Sequence, residues 1–143
     1  MVELIKKILN QKKLKNNLLA FLAEMEKNLE IFYVADQRQF ITQPFLTKAW
    51  AAVESEAVVR KHEAILVYAA AVADLNRLLS QQREYEHWYA GDLKNKTPDN
   101  ARKLHTLKQD LDRKLKNMEP LIIPAGQALE KEMVQLGLLT YGQ

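Results

Sequence analysis

The residues with the clearest chemical potential are Glu84 and His87, which lie three positions apart in the segment Glu84-Tyr85-Glu86-His87. On a helix this spacing places both side chains on one face, and such a pair supplies part of the ligand set in carboxylate-bridged di-iron bundles. The site also needs a second Glu-x-x-His pair, which the sequence lacks. A metal- or ligand-binding bundle using Glu84 and His87 is therefore an alternative interpretation. We expect instead a solvated helix end, with no metal and no cofactor.

Catalysis by the other polar residues has little support in the sequence. The chain contains no cysteine, which excludes disulfides, thiolate metal sites and cysteine nucleophiles within it. His87 could serve general acid–base chemistry with Arg83 one helical turn away. Histidines on helix surfaces are more often solvated than catalytic, so we expect a protein that is not an enzyme.

Basic residues are concentrated at the start of the chain. The net charge is +3 overall, yet residues 1–17 alone carry five lysines and one glutamate. The lysines are Lys6, Lys7, Lys12, Lys13 and Lys15. With Leu4, Ile5, Ile8 and Leu9 they form an amphipathic pattern that could lie on an anionic membrane surface or bind nucleic acid. Because amphipathic helices of globular proteins mostly face a core, we expect this segment to pack on the C-terminal helices.

Apolar spacing predicts an all-α fold. A first helix over about residues 2–41 is indicated by an apolar repeat with steps of four and three residues: Leu18, Leu22, Met25, Leu29 and Phe32. Pro44 starts a second helix, because proline is favoured in a first helical turn. No proline or glycine follows until Gly91, so this helix is predicted to extend to about residue 90. Because such a helix is unusually long for a globular protein, a kink near residues 54–61 is plausible.

Proline and threonine mark the boundaries of two shorter helices. Thr97-Pro98-Asp99 is typical of a helix start and predicts a helix over about residues 98–118. Pro120 should stop it, and Pro124 should open a last helix over about residues 125–139.

Short connections between helices favour antiparallel neighbours. The two long helices, about residues 2–90, should therefore form a hairpin with its tip near Pro44. The two shorter helices would complete it into a four-helix bundle, with residues 1–143 in one domain. Asp36 falls in the apolar phase of the first helix, where a buried carboxylate would need a partner such as Lys48.

The two shorter helices cannot reach the predicted tip, since about 20 residues span only about 30 Å of helix. The tip nevertheless keeps apolar residues, and exposed apolar patches usually mark interfaces. The candidate interface residues are Leu29, Phe32, Phe40, Phe45, Trp50 and Val53. The sequence thus predicts a non-catalytic interaction or assembly protein, most simply a two-fold homodimer, with another protein as a possible partner.

The location of the protein is expected to be cytoplasmic. The longest uninterrupted apolar run, residues 64–73, has ten residues, whereas a membrane span needs about 20. Polar residues interrupt the N-terminal segment too early for a signal peptide.

Overall fold

A computed structural model describes residues 2–38, 41 and 43–139. Within these residues the chain is helical and contains no strand, which confirms the all-α prediction. The helices are α1 (Val2–Arg38), α2 (Lys48–Val53), α3 (Ala57–Arg60), α4 (Glu63–Gly91), α5 (Pro98–Lys116) and α6 (Glu119–Gln135). A short 3-10 helix, Leu93–Asn95, joins α4 to α5. No described helix is both long enough and apolar enough to cross a bilayer.

The helix starts follow local chemistry where the sequence indicated it. The Thr97 hydroxyl accepts a hydrogen bond from the backbone N–H of Asn100 at 3.2 Å, and Pro98 lies in the first turn of α5. These contacts satisfy an N–H group that has no partner within the helix. The first helix, α1, ends at Arg38. Residues 39 and 40, at the predicted end of the first helix, and residue 42 of the predicted connection lie outside the described residues.

The second long helix predicted between Pro44 and Gly91 is not continuous, because the chain there is divided into α2, α3 and α4. Glu56 and His62 have extended backbone angles at the two breaks, in the region where a kink was expected. In one continuous helix Val53 and Val59 would lie about 120° apart around the axis. The breaks instead allow both side chains to be fully buried in the core.

The direction of the segments also differs from the predicted hairpin. The segment containing α2 runs back along α1, since Leu46 bonds to Asn28 and Trp50 bonds to Glu24. α4 then reverses direction again and runs parallel to α1. Tyr68 of α4 is hydrogen-bonded to Asn28 of α1. Asn76, eight residues later in α4, is hydrogen-bonded to Phe45, which precedes α2. α4 is therefore not the antiparallel neighbour of α1, and α2 packs antiparallel to α1 instead.

α5 and α6 run in one direction instead of forming the predicted turn. Along α4, Glu86 pairs with Lys108 and Asp74 pairs with Lys114, both on α5. Further down α4, His62 contacts Glu132 of α6, so both helices are antiparallel to α4. Pro120 does not turn the chain, because it lies in the first turn of α6, where a missing N–H costs nothing.

The buried core lies between four segments of alternating direction: α1, α2–α3, α4 and the line formed by α5 and α6. Two parts extend beyond this core. Residues 2–13 of α1 are all exposed, and no residue from 80 to 110, in the α4–α5 hairpin, is fully buried. The molecule therefore presents one projecting helix and one projecting hairpin at opposite ends of a four-segment bundle.

Candidate interaction surface

The residues predicted to form an exposed interface are packed into the chain's own core. Phe32, Phe45 and Val53 are 4%, 2% and 0% exposed. Leu29 and Trp50 are partly buried against the same core, and Phe40 lies outside the described residues. The premise of an exposed apolar tip is therefore wrong. Dimerisation itself stays a prediction, but these side chains cannot form the dimer interface.

The broken second segment explains how this region is covered. Because α2 turns back along α1, Trp50 packs against Phe21 with their ring centroids 5.5 Å apart. Tyr68 of α4 approaches the same phenylalanine from the other side at 6.3 Å. A hairpin of two straight helices would have left one side of these rings open, whereas three segments enclose them.

Two asparagines hold the backbone of Phe45 and Leu46, just before α2. The Asn28 side chain accepts a hydrogen bond from the Leu46 N–H at 2.7 Å and donates to the Leu46 carbonyl at 3.0 Å. Asn76 of α4 makes the same pair of bonds with Phe45, both at 2.9 Å. Asn28 also donates to the Tyr68 hydroxyl at 2.7 Å, and burial raises the pKa of Tyr68 to about 12. These amides take the place of a neighbouring strand for residues 45 and 46.

A buried glutamate caps the start of α2. The Glu24 carboxylate accepts hydrogen bonds from the backbone N–H groups of Ala49 and Trp50, at 2.8 and 3.0 Å. Such N–H groups have no partner within their own helix, and a carboxylate satisfies them especially well. Asp36, predicted to be the buried carboxylate of α1, is exposed instead.

A second buried carboxylate, Glu132 of α6, joins the lower end of the bundle. It contacts Lys61 at 2.8 Å and His62 at 2.9 Å, both in the turn before α4. The hydrogen bond from Lys61, followed by the one from His62, holds the pKa of Glu132 below its ordinary value. Within the described residues, no buried side-chain nitrogen or oxygen lacks a partner. These polar groups are fully used in joining helices.

The candidate metal ligands Glu84 and His87 are exposed on α4. Between them in the sequence, Glu86 is engaged by Lys108 at 3.1 Å and by Gln82 at 3.1 Å. Over residues 2–38, 41 and 43–139, no group of three or more His, Asp or Glu side chains is arranged to hold a metal ion. The structure therefore adds no further ligand to this pair.

The projecting start of α1 carries an unusual set of exposed side chains. We call residues 2–15 the basic segment and define its apolar stripe as Val2, Leu4, Ile5, Ile8 and Leu9. The stripe residues are 45 to 69% exposed. The predicted packing of this segment on the C-terminal helices is therefore wrong.

The apolar stripe faces away from the bundle. The buried face of α1 begins with half-buried Leu14 and continues through Leu18 and Phe21. At about 100° per residue, Ile5 and Leu9 lie roughly 180° and 140° around the helix from Leu14. The stripe is consequently a separate apolar face and not an extension of the core face.

Further apolar exposure occurs at the tip of the α4–α5 hairpin. Leu93 is 82% exposed, and Trp88 is nearly half exposed while stacking beside Tyr85 at a centroid distance of 5.4 Å. These side chains are scattered and form no stripe along one helix. Single exposed apolar residues are common on protein surfaces.

Comparison with known proteins returned no match: no family model, curated protein or solved structure matches the sequence.

Proposed function

We propose that this chain is a non-catalytic helical-bundle protein that acts by binding a partner through the basic segment of α1. The observation that carries the proposal is the apolar stripe: five adjacent aliphatic side chains, 45 to 69% exposed, on one projecting helix. Contiguous exposed apolar surface is characteristic of interaction sites. The two buried carboxylates of the described bundle, Glu24 and Glu132, are by contrast engaged in joining its helices.

Continuity with the bundle supports this role. An isolated helix of about 14 residues is marginal in water. In this chain the basic segment continues directly into Leu18, Phe21 and the rest of the buried face of α1, which anchors its C-terminal end. A helix ordered before binding loses less conformational entropy on association. The bundle thus serves as a scaffold that presents the stripe.

A second copy of the chain is a less suitable partner for this surface. Residues 1–17 carry five lysines and one glutamate, so two such segments repel each other when their stripes meet. The homodimer predicted from the sequence would therefore use a different surface. The partner of the basic segment should be acidic.

Site-specific cross-linking in cells that naturally produce the protein tests this proposal. A photo-reactive amino acid replacing Leu9 should give cross-linked adducts, whereas the same amino acid replacing Leu93 should give few. The double variant Ile5→Gln, Leu9→Gln should lose binding while remaining folded, since both side chains are outside the core. Equal cross-linking from positions 9 and 93 would overturn the proposal, as would the absence of any partner, protein or lipid, at position 9.

A further inference from the structure

We propose that the partner of the basic segment is an anionic lipid surface, on which the segment lies with its apolar stripe inserted between the lipids. This inference rests on the proposed function and names its partner. Lipid binding requires that the charge, the orientation and the apolar composition of the basic segment all suit a membrane interface.

The charges suit an anionic surface. Lys6 and Lys13 lie along one edge of the apolar stripe, while Lys12 and Lys15 follow it in the same line on the next turns, judged from the helical angle. All are exposed. Lysine side chains in these positions can extend past the stripe and place their ammonium groups among lipid phosphates.

The orientation leaves the membrane side free. Glu3 and Glu56 line a groove on the bundle side of the segment together with Lys6, Lys7 and Lys13, and the apolar stripe lies on the opposite side of the helix. Further along the outward face of α1, Glu26 and Glu30 are exposed, and Glu30 pairs with Lys27 at 3.3 Å. The excess of lysines therefore ends where the bundle begins, whereas exposed Tyr33 and Val34 continue the apolar character of this face. A bound membrane would contact residues 2–15 and be repelled by the acidic part of the same face.

The composition favours lipid over an acidic groove on a protein. Helices that bind protein grooves usually insert large anchors, commonly aromatic, into shaped pockets. The stripe contains only valine, leucine and isoleucine, over about two helical turns. A fluid interface accepts such side chains without shape complementarity. Because no aromatic anchor is present, binding should depend strongly on the negative charge of the lipid.

Vesicle co-sedimentation of the full chain tests the inference. The protein should bind vesicles of phosphatidylcholine mixed with phosphatidylserine and should not bind vesicles of phosphatidylcholine alone. Added salt should weaken binding, because it screens the lysines. The triple variant Lys6→Gln, Lys12→Gln, Lys13→Gln should bind on the order of a hundredfold more weakly, since each lysine near such a surface contributes roughly fivefold.

Matched control variants distinguish binding by the basic segment from an effect of the overall charge or hydrophobicity of the protein. The triple variant Lys94→Gln, Lys96→Gln, Lys103→Gln loses the same charge at the opposite end of the molecule and should bind like the wild type. The double variant Ile5→Gln, Leu9→Gln should bind poorly. A control that changes exposed Val34 and Leu93 to glutamine should retain binding.

Two outcomes would overturn the lipid assignment: equal binding to both kinds of vesicle, or equal weakening by the test and control lysine variants. Absence of vesicle binding combined with stripe-dependent cross-linking to an acidic protein also overturns it, but leaves the proposed function standing. Absence of both vesicle binding and cross-linking from position 9 removes the inference and the proposed function together.

Discussion

Replacing Asn28 with alanine should destabilise the bundle more than any other single change to a polar side chain of α1. Asn28 is fully buried and makes three hydrogen bonds, two with the Leu46 backbone and one with the Tyr68 hydroxyl. The side chain thereby connects α1, the segment leading to α2, and α4. Truncation removes all three bonds at once and leaves a small void.

The magnitude follows from the surroundings of each lost partner. The Tyr68 hydroxyl is enclosed, so leaving it without its donor costs about 1–3 kcal/mol. Leu46 is 44% exposed, and water can replace part of its two bonds, so each contributes about 0.5–1.5 kcal/mol. Alanine regains about 0.5 kcal/mol through its higher helix propensity. The expected net loss is about 3 kcal/mol, a large part of the about 5–15 kcal/mol typical of a folded domain.

Urea unfolding followed by far-UV circular dichroism measures this loss as a lower midpoint at an unchanged slope. Asn16→Ala, on the exposed side of the same helix, should change stability by less than about 0.5 kcal/mol. Combining Asn28→Ala with Tyr68→Phe should cost about 1 kcal/mol less than the sum of the two single variants, because they share one bond. A loss below about 1 kcal/mol for Asn28→Ala, or strict additivity, would refute the role given to this network.

Three further predictions concern the caps, the pH dependence and the stripe. Glu24→Ala should lower the free energy of unfolding by about 1–2 kcal/mol, because it removes the cap of α2, whereas exposed Glu26→Ala should have little effect in the same assay. The pKa of Glu132 is held below its ordinary value of 4.5 by its lysine and histidine partners, so its contribution to stability is present above pH 4.5 and is lost as the pH falls through the folded-state pKa. Glu132→Gln should therefore flatten the decline in stability on acidification, and an unchanged acid limb would contradict this. The double variant Ile5→Gln, Leu9→Gln should keep the wild-type thermal midpoint, since both side chains are solvated.

Local signals in the sequence were sufficient for helices with standard caps and apolar repeats. Thr97 and Pro98 set the start of α5, as their chemistry requires. The apolar repeat of α1 located its buried face, although Phe21 and Asn28 occupy buried positions assigned to Leu22 and Leu29. Asn28, a polar residue on the apolar face of α1, was the available sequence signal for the hydrogen bonds that join α1 to Leu46 and Tyr68. Its partners lie in other segments, so only the tertiary structure reveals them.

The direction of the segments could not be predicted in the same way. No proline or glycine marks the breaks at Glu56 and His62, where burial of Val53 and Val59 overrides helical continuity. Once α2 folds back along α1, the apolar residues near Pro44 become enclosed. Straight helices would have left these residues exposed as an interface, whereas the broken second segment covers them.

The amphipathic pattern at the start of α1 is compatible with two different roles. The amphipathic character of the basic segment was visible in the sequence, but two faces of α1 are apolar in different stretches. Only the position of the bundle shows that the face containing Ile5 and Leu9 is opposite to the face containing Leu18. The stripe residues would suit core packing if the bundle covered their face of α1, and they suit binding because the bundle lies on the opposite face.

The most direct test of the stripe as the binding surface is the environment of a single label at residue 9. The chain has no cysteine, so Leu9→Cys can be labelled uniquely with a polarity-sensitive fluorophore. On addition of vesicles containing phosphatidylserine, its emission should shift to that of an apolar environment, while a label at Leu93→Cys should remain in water. No shift at residue 9, or an equal shift at both residues, would contradict the assignment of the binding surface to the start of α1.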